Sequence, residues 1–320
     1  MHVVVAERPG GPEVLRYEAR PDPEPGAGQV RVVTEVAAIT FVDTLIRAGS
    51  AVAPPATFPV VLGNGVAGTV DAVGDGVAAD LVGHRVVTTT GGSGGYATHA
   101  VARVEDLHEV PTGLASDTAV ALLADGRTAI ALHRAAAVRA GETVVVTAAA
   151  GGVGGLLVQL LVATGARVIG LAGDARKREH ARSLGADVVV DYRAPGWVEQ
   201  VRRAAPEGVD VVFDGVSGDL PDLLLPAVRS GGRYVQHGAA AGRWTTIEAD
   251  RAAAAGVTVV PLAAIGTPEE LHRATDEALR LAAEGRLRVT VGQVFPLAEA
   301  AAAHAAIGSR EALGKTLLRP

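Results

Sequence analysis

Thr143-Val144-Val145-Val146-Thr147-Ala148-Ala149-Ala150-Gly151-Gly152-Val153-Gly154 is the stretch that decides the fold. Thr143 to Thr147 is β-branched throughout, which suits a buried strand. The pattern A-x-G-x-x-G follows at Ala149, Gly151 and Gly154, with alanine where the common form has its first glycine. The run Gly152 to Thr164 then reads as a helix that Gly165 ends. Each feature of such a turn has a physical task. Gly151 lets backbone approach a pyrophosphate, Gly154 lets helix and strand pack closely, and the helix N-terminus offers free N–H groups to the anion. A glycine-rich packing turn without a ligand is the competing reading, and the flanking sequence discriminates between the two.

Downstream, strand and helix alternate. Arg167 to Leu171, Val188 to Val190, Val209 to Phe213, Gly232 to Gln236 and Val257 to Val260 read as further strands, which makes six with Thr143 to Thr147. Asp174 is placed to cap a helix that runs to Leu184 and stops at Gly185. This βαβαβ doubling predicts a parallel, doubly wound Rossmann sheet. Its second strand ends at Ala172-Gly173, where an NAD site needs a carboxylate for the ribose 2′-hydroxyl, and Ala172 has none. Arg176, Lys177, Arg178 and Arg182 lie just beyond. A 2′-phosphate needs cations there, so NADPH is the expected cofactor, with Lys177 as its ligand and the arginines as solvated surface residues.

Upstream, the first 110 residues read as all-β. Val30 to Val36, Gly68 to Val73 and His84 to Thr89 are strands closely punctuated by Gly and Pro. The texture turns helical from Asp117 to Val138. After Pro261 comes one clear helix, Pro268 to Ala283, then strand, helix and strand at Val289 to Phe295, Ala298 to Ile307 and Thr316 to Leu318. That tail is too short for a core of its own, so it is expected to return to the N-terminal domain. The expected organisation is an α/β chain: residues 1–120, a dinucleotide-binding domain at 121–265, and a return segment at 266–320.

Composition removes several classes of function. With 320 residues, 48% of them hydrophobic, about two domains can be built around sizeable cores. A net charge of −6, no basic stripe and 3% aromatics leave nucleic-acid binding without support. There is no cysteine, so disulfides and thiolate metal sites are impossible. Glu7 and Arg8 stand too early for a signal peptide, and no apolar run reaches about 18 residues. A cytoplasmic location with no membrane partner is expected.

Motifs along nearly the whole chain resemble the zinc-independent medium-chain dehydrogenases/reductases of the quinone oxidoreductase (zeta-crystallin-like) type. They include Gly10-Gly11-Pro12-Glu13 with Val14-Leu15, Phe41-x-Asp43-Thr44 with Ile46-Arg47-x-Gly49, and Gly83-His84-Arg85-Val86. Gly126-x-Thr128-Ala129, Ala149 through Gly154, Leu184-Gly185-Ala186-Asp187, Asp191-Tyr192, Gly231-Gly232-Arg233 and Gly314-Lys315 continue the series. The resemblance implies a GroES-like catalytic domain, made from both ends of the chain, around an inserted Rossmann domain, and a homodimer. It implies NADPH, with the adenosine phosphate near Gly173, Lys177 and Tyr192 and the diphosphate on Ala150, Gly151, Gly152, Val153 and Gly154. Thr128 is implied at the nicotinamide end, with Val216, Ser217, His237 and Gly238 lining the cleft. Departures fall mainly on the substrate side: Thr40 stands where the family usually has Asn, Leu45 replaces a common Tyr, and Gly65 replaces an acid.

With no cysteine, and Asn64 where zinc-dependent relatives carry a ligand histidine, a metal route is closed. A quinone or an enone then suits hydride transfer, because the oxyanion left behind is delocalised and needs only hydrogen-bond donors. Thr40 is either such a donor or a strand residue facing the core. Asp43 either positions substrate and relays a proton or caps a helix over Thr44 to Ala48. Tyr192 has the chemistry of a general acid but stands beside the phosphate site. Lys315 is a cofactor contact or a strand-end charge. The leading expectation is an NADPH-dependent quinone reductase. The alternatives are an enoyl or olefin reductase of a biosynthetic pathway and an NADPH-binding protein without turnover.

Overall fold

The computed structural model describes residues Met1–Pro320. The chain forms two compact units, one of Met1–Gly126 with Thr275–Pro320 and the other of Arg127–Ala274. Both changes of unit fall inside helices, Ser116–Ala136 and Pro268–Ala283.

The inner unit is a six-stranded sheet in the order Val188–Val190, Arg167–Leu171, Thr143–Val146, Val209–Asp214, Val228–Gln236, Thr258–Val260. Every pairing in it is parallel. This is the doubly wound sheet that the alternating sequence predicts. Val144, Val145 and Val146 are fully buried. Burial of each such side chain contributes roughly 1.5–3 kcal/mol, which is why a continuous β-branched run serves a central strand. The sheet order reverses at Thr143–Val146, whose neighbours lead away on opposite sides. The crevice beyond the carboxyl ends of Thr143–Val146 and Val209–Asp214 is therefore the topological switch point, where open α/β sheets bind ligands.

The outer unit is built on a sheet in the order Val291–Pro296, Lys315–Arg319, Gln29–Ile39, Gly65–Val73, Arg85–Thr89, Leu107–Glu109, with His99–Arg103 also paired to Gln29–Ile39. The C-terminal strand Lys315–Arg319 runs antiparallel to Gln29–Ile39, so the tail does return to the N-terminal region.

One expectation fails. The first 110 residues are not all-β, because Phe41–Ala48 is a helix. Thr40 is its N-cap and accepts from the Asp43 N–H, while the Asp43 carboxylate accepts from the Thr40 N–H. This is a reciprocal capping box. Thr40 is thus not a core-facing strand residue, and Asp43 is not the cap but the third residue of the first turn. Gly49, at φ 66°, closes the helix in the left-handed region.

Candidate active site

In the inner unit, the turn after Thr143–Val146 holds Ala148 at φ 48°. That conformation is costly for a residue with a side chain, at about 1–3 kcal/mol, and such strain collects where function demands it. The two glycines that follow are bare for different reasons. A methyl group on Gly154 would collide with the carbonyl oxygen of Ala148. A methyl group on Gly151 would meet one protein atom, Ala148 O at 3.2 Å. Packing thus excludes a side chain at Gly154 outright and crowds one at Gly151, which opens the helix Gly152–Thr164, through a single backbone atom. No side chain caps that helix.

Asp214 organises the other side of the switch point. It is fully buried at the end of its strand. Its Oδ1 accepts from Thr147 Oγ1 at 3.1 Å, Val216 N at 2.9 Å and Ser217 N at 3.0 Å, and its Oδ2 accepts from the Tyr234 hydroxyl at 3.0 Å. Burial, followed by the Asp214 charge, raises the Tyr234 phenol far above its ordinary range. Ser217 is buried at φ 58°, a second strained residue, and its Oγ accepts from Thr245 N at 2.8 Å. His237 begins the loop after the next strand. Its Nε2 is buried without a partner, and burial lowers its pKa to about 4.

Ala150 through Gly154, Val216, Ser217, His237 and Gly238 thus gather at the carboxyl ends of three adjacent strands. Gly173, Lys177 and Tyr192 gather at the ends of the next two, Arg167–Leu171 and Val188–Val190. Asp174 is the expected helix cap, accepting from Lys177 N at 2.8 Å, and the Lys177 Nζ lies 3.9 Å from its carboxylate. The arginines are not all solvated surface residues as expected. Arg178 is half-buried, pairs with Asp191, and donates to the Gly173 carbonyl at 3.0 Å. Arg193 also donates to that carbonyl and lies against Gly173, where a methyl group would meet its Nε at 2.9 Å. Thr128 is half-buried on the helix Ser116–Ala136.

In the outer unit, the helix Phe41–Ala48 packs its polar face inward. Asp43, Thr44 and Arg47 are buried, whereas Phe41 is 38% and Val42 43% exposed. This inversion places apolar side chains at the surface beside Thr40 and puts a carboxylate beneath it. Asp43 Oδ2 accepts from Thr40 N at 2.6 Å and from Thr40 Oγ1 at 2.8 Å. Burial raises the Asp43 pKa against those hydrogen bonds and against the Lys315 charge. Lys315 itself is buried, with its Nζ 3.0 Å from Asp125 Oδ1. Asn64 is committed to a loop, its Oδ1 accepting from Thr90 N at 3.2 Å and Gly92 N at 2.6 Å.

The sequence pattern of the alcohol dehydrogenase GroES-like domain matches residues 26–112, and that of the zinc-binding dehydrogenases matches residues 184–318. A quinone oxidoreductase from Pseudomonas aeruginosa is 36% identical over 97% of either chain. The chain belongs to the quinone oxidoreductase family. Among solved structures of this family, Escherichia coli quinone oxidoreductase complexed with NADPH superimposes with a TM-score of 0.93 at 32% identity, covering 100% of both chains. A 2-haloacrylate reductase from Burkholderia sp. is 32% identical over 99% of this chain and 98% of its own.

Against this family background, Thr40 keeps a hydroxyl in place of the usual asparagine and serves as a cap. Gly65, where the family has an acid, lies tight against the core, since a methyl group there would meet Leu123 at 3.0 Å. Sequence reasoning missed Asp214 and Arg193. Asp214 was within reach, as an acid at the end of an otherwise apolar strand. Arg193 carries no local signal.

Proposed function

We propose that this member of the family reduces quinones or conjugated carbonyl compounds with NADPH and without zinc. The observation that carries the reading is the turn at the switch point, where Gly151 opens an uncapped helix and a methyl group there would meet only the Ala148 carbonyl oxygen, at 3.2 Å. A diphosphate there is served by uncapped N–H groups and the positive end of the helix dipole. The unpartnered His237 Nε2 adds a polar atom in need of a partner on the same rim. Ala172 brings no carboxylate to the ribose, and Lys177, Arg178 and Arg193 bring positive charge near Gly173, which suits a 2′-phosphate. Tyr192 stands beside them.

When bound, the nicotinamide supplies a hydride; binding, orientation and proton supply fall to the chain. Cysteine is absent and Asn64 is held by the Thr90–Gly92 loop, so this chain lacks the donor set of a zinc site at that position. Thr40 is the hydrogen-bond donor for the substrate oxygen, Asp43 sets its orientation, and Phe41 and Val42 offer apolar contact to a ring or alkene. Lys315, held by Asp125, acts through its charge on Asp43 and contacts the cofactor. The resemblance to the 2-haloacrylate reductase favours activated C=C bonds as a second substrate class. We further take the chain to be a cytoplasmic homodimer, a state that sedimentation measures directly.

Following the nicotinamide absorbance on mixing protein and NADPH with a panel of quinones and enones tests the reading. Oxidation of NADPH with at least one acceptor is expected. Tight NADPH binding with no oxidation across the panel contradicts it and favours a binding protein without turnover.

A further inference from the structure

Two histidines and one carboxylate come together at one end of the outer sheet. His108 lies on the last strand of that sheet, Leu107–Glu109. Glu109 points outward and His108 inward, at 6% exposure. His108 Nδ1 stands 2.6 Å from Asp276 Oδ1. Asp276 belongs to the helix Pro268–Ala283, and His272 precedes it there by one turn. Residues four apart on a helix share a face, with Cβ atoms about 5–6 Å apart. Ala274, Thr275, Ala278 and Leu279 of this helix are buried, so the half-buried His272 and the exposed Asp276 stand at the rim of its inner face. His108 and Asp276 both belong to the outer unit, and the unbroken helix carries His272 beside them.

One donor atom from each of His108, His272 and Asp276 lies within 4.8 Å of the other two. A tetrahedral zinc ion holds imidazole nitrogen and carboxylate oxygen at about 2.0–2.2 Å, which sets its donors roughly 3.3 Å apart. Side-chain rotation brings the three atoms to that spacing, above all at Asp276, whose side chain is 54% exposed. A plain histidine–carboxylate hydrogen bond needs two of these residues. The third donor, on the same helix face as Asp276, turns the pair into a chelating set. Two imidazoles and a carboxylate suit zinc, and the ion displaces the proton held between His108 and Asp276. Water on the exposed side fills the fourth position. Three strands of the sheet separate Leu107–Glu109 from Lys315–Arg319, so the set stands apart from Lys315.

We propose that His108, His272 and Asp276 bind one zinc ion per chain, which staples the strand Leu107–Glu109 to the helix Pro268–Ala283. Folding alone brings the three donors together, because His108 is more than 160 positions from the other two. The ion therefore binds the folded chain in preference to the unfolded one, and its occupancy stabilises the fold.

Calorimetric titration of zinc chloride into full-length protein, stripped with EDTA and desalted, tests this. Expected are one site per chain with a Kd on the order of 1 μM, and a Tm higher by a few °C at about a hundredfold excess over Kd. Loss of a group that merely orients a metal ligand costs about 10–100-fold in affinity, so loss of a ligand in His272→Ala should weaken binding about 100-fold and abolish the Tm shift. Asp276→Asn keeps an acceptor for His108 but removes the charge, and should weaken binding about tenfold. Cobalt(II) in place of zinc should give the strong visible absorption of a four-coordinate ion in the wild type and lose it in His272→Ala. No zinc binding by the wild type overturns the inference, and so does equal affinity in wild type and variants, which places the ion elsewhere on the chain. If one variant fails to fold, the other decides. Binding and unfolding are both read without turnover, so the outcome is independent of the reductase reading.

Discussion

At the Gly151 turn the working groups are backbone N–H groups within one contiguous stretch, whereas at Thr40 they are the side chains of Thr40, Asp43 and Lys315. The first arrangement needs only a strand, a tight turn and a helix start, all neighbours in sequence. The second needs the helix Phe41–Ala48 and the C-terminal strand Lys315–Arg319 folded into one unit, and its working groups are side chains. A backbone site tolerates changes of side chain but not the addition of atoms. A side-chain site tolerates added bulk at its edges but not the loss of a polar group.

The largest effects should come from adding atoms to the turn. Gly154→Val drives a side chain into Ala148 and should cost about 3 kcal/mol or more, losing the cooperative unfolding transition of the inner unit. Gly151→Ala, three residues away, should lower Tm by only a few °C, because its methyl presses on one atom, Ala148 O at 3.2 Å, which need give by only a few tenths of an ångström. Thermal unfolding of the two variants side by side checks the contrast, and equal destabilisation by both would break it.

Removal of the acid at the other site is expected to lower kcat roughly 100-fold in Asp43→Asn, with NADPH affinity unchanged within about twofold. Steady-state kinetics and a fluorescence titration on the same preparation separate the two quantities. At the adenosine end, Lys177→Ala should reduce the preference for NADPH over NADH about tenfold, or 1.4 kcal/mol, with kcat intact. The ratio of kcat/KM for the two nucleotides reads this directly.

The smallest effect concerns stability. His237 and His304 are held neutral, at pKa values of about 4 and about 3, against about 6.5 unfolded. The unfolded chain therefore binds protons below about pH 6.5 that the folded chain refuses. Each histidine then lowers stability by up to about 1.4 kcal/mol per pH unit on acidification, until its folded pKa is reached. His237→Gln and His304→Gln should each flatten the acid slope of Tm against pH between 6.5 and 4, one from each unit.

The two sites also differ in how well they can be read from sequence. Thr143 to Gly165 was legible in full, since a β-branched run, spaced glycines and a terminal glycine each act locally. Pro268–Ala283 and the six-strand alternation were legible for the same reason. The helix Phe41–Ala48 was not placed in full, although Thr40-x-x-Asp43 carries a capping-box pattern. It buries Asp43, Thr44 and Arg47 and exposes Phe41 and Val42, the reverse of the pattern by which amphipathic helices are recognised. Arg178 was misjudged because its partner Asp191 lies on another element. Tyr96 and His304 are 208 positions apart and meet only through the return of the C-terminal tail.

Calorimetric titration of NADPH into the wild type and Gly151→Ala tests the central claim most directly. The claim predicts saturable heat at one site per chain in the wild type and affinity weakened roughly 100-fold in the variant, with its fold intact. No heat from NADPH or NADH in the wild type, or equal affinity in the variant, would contradict it.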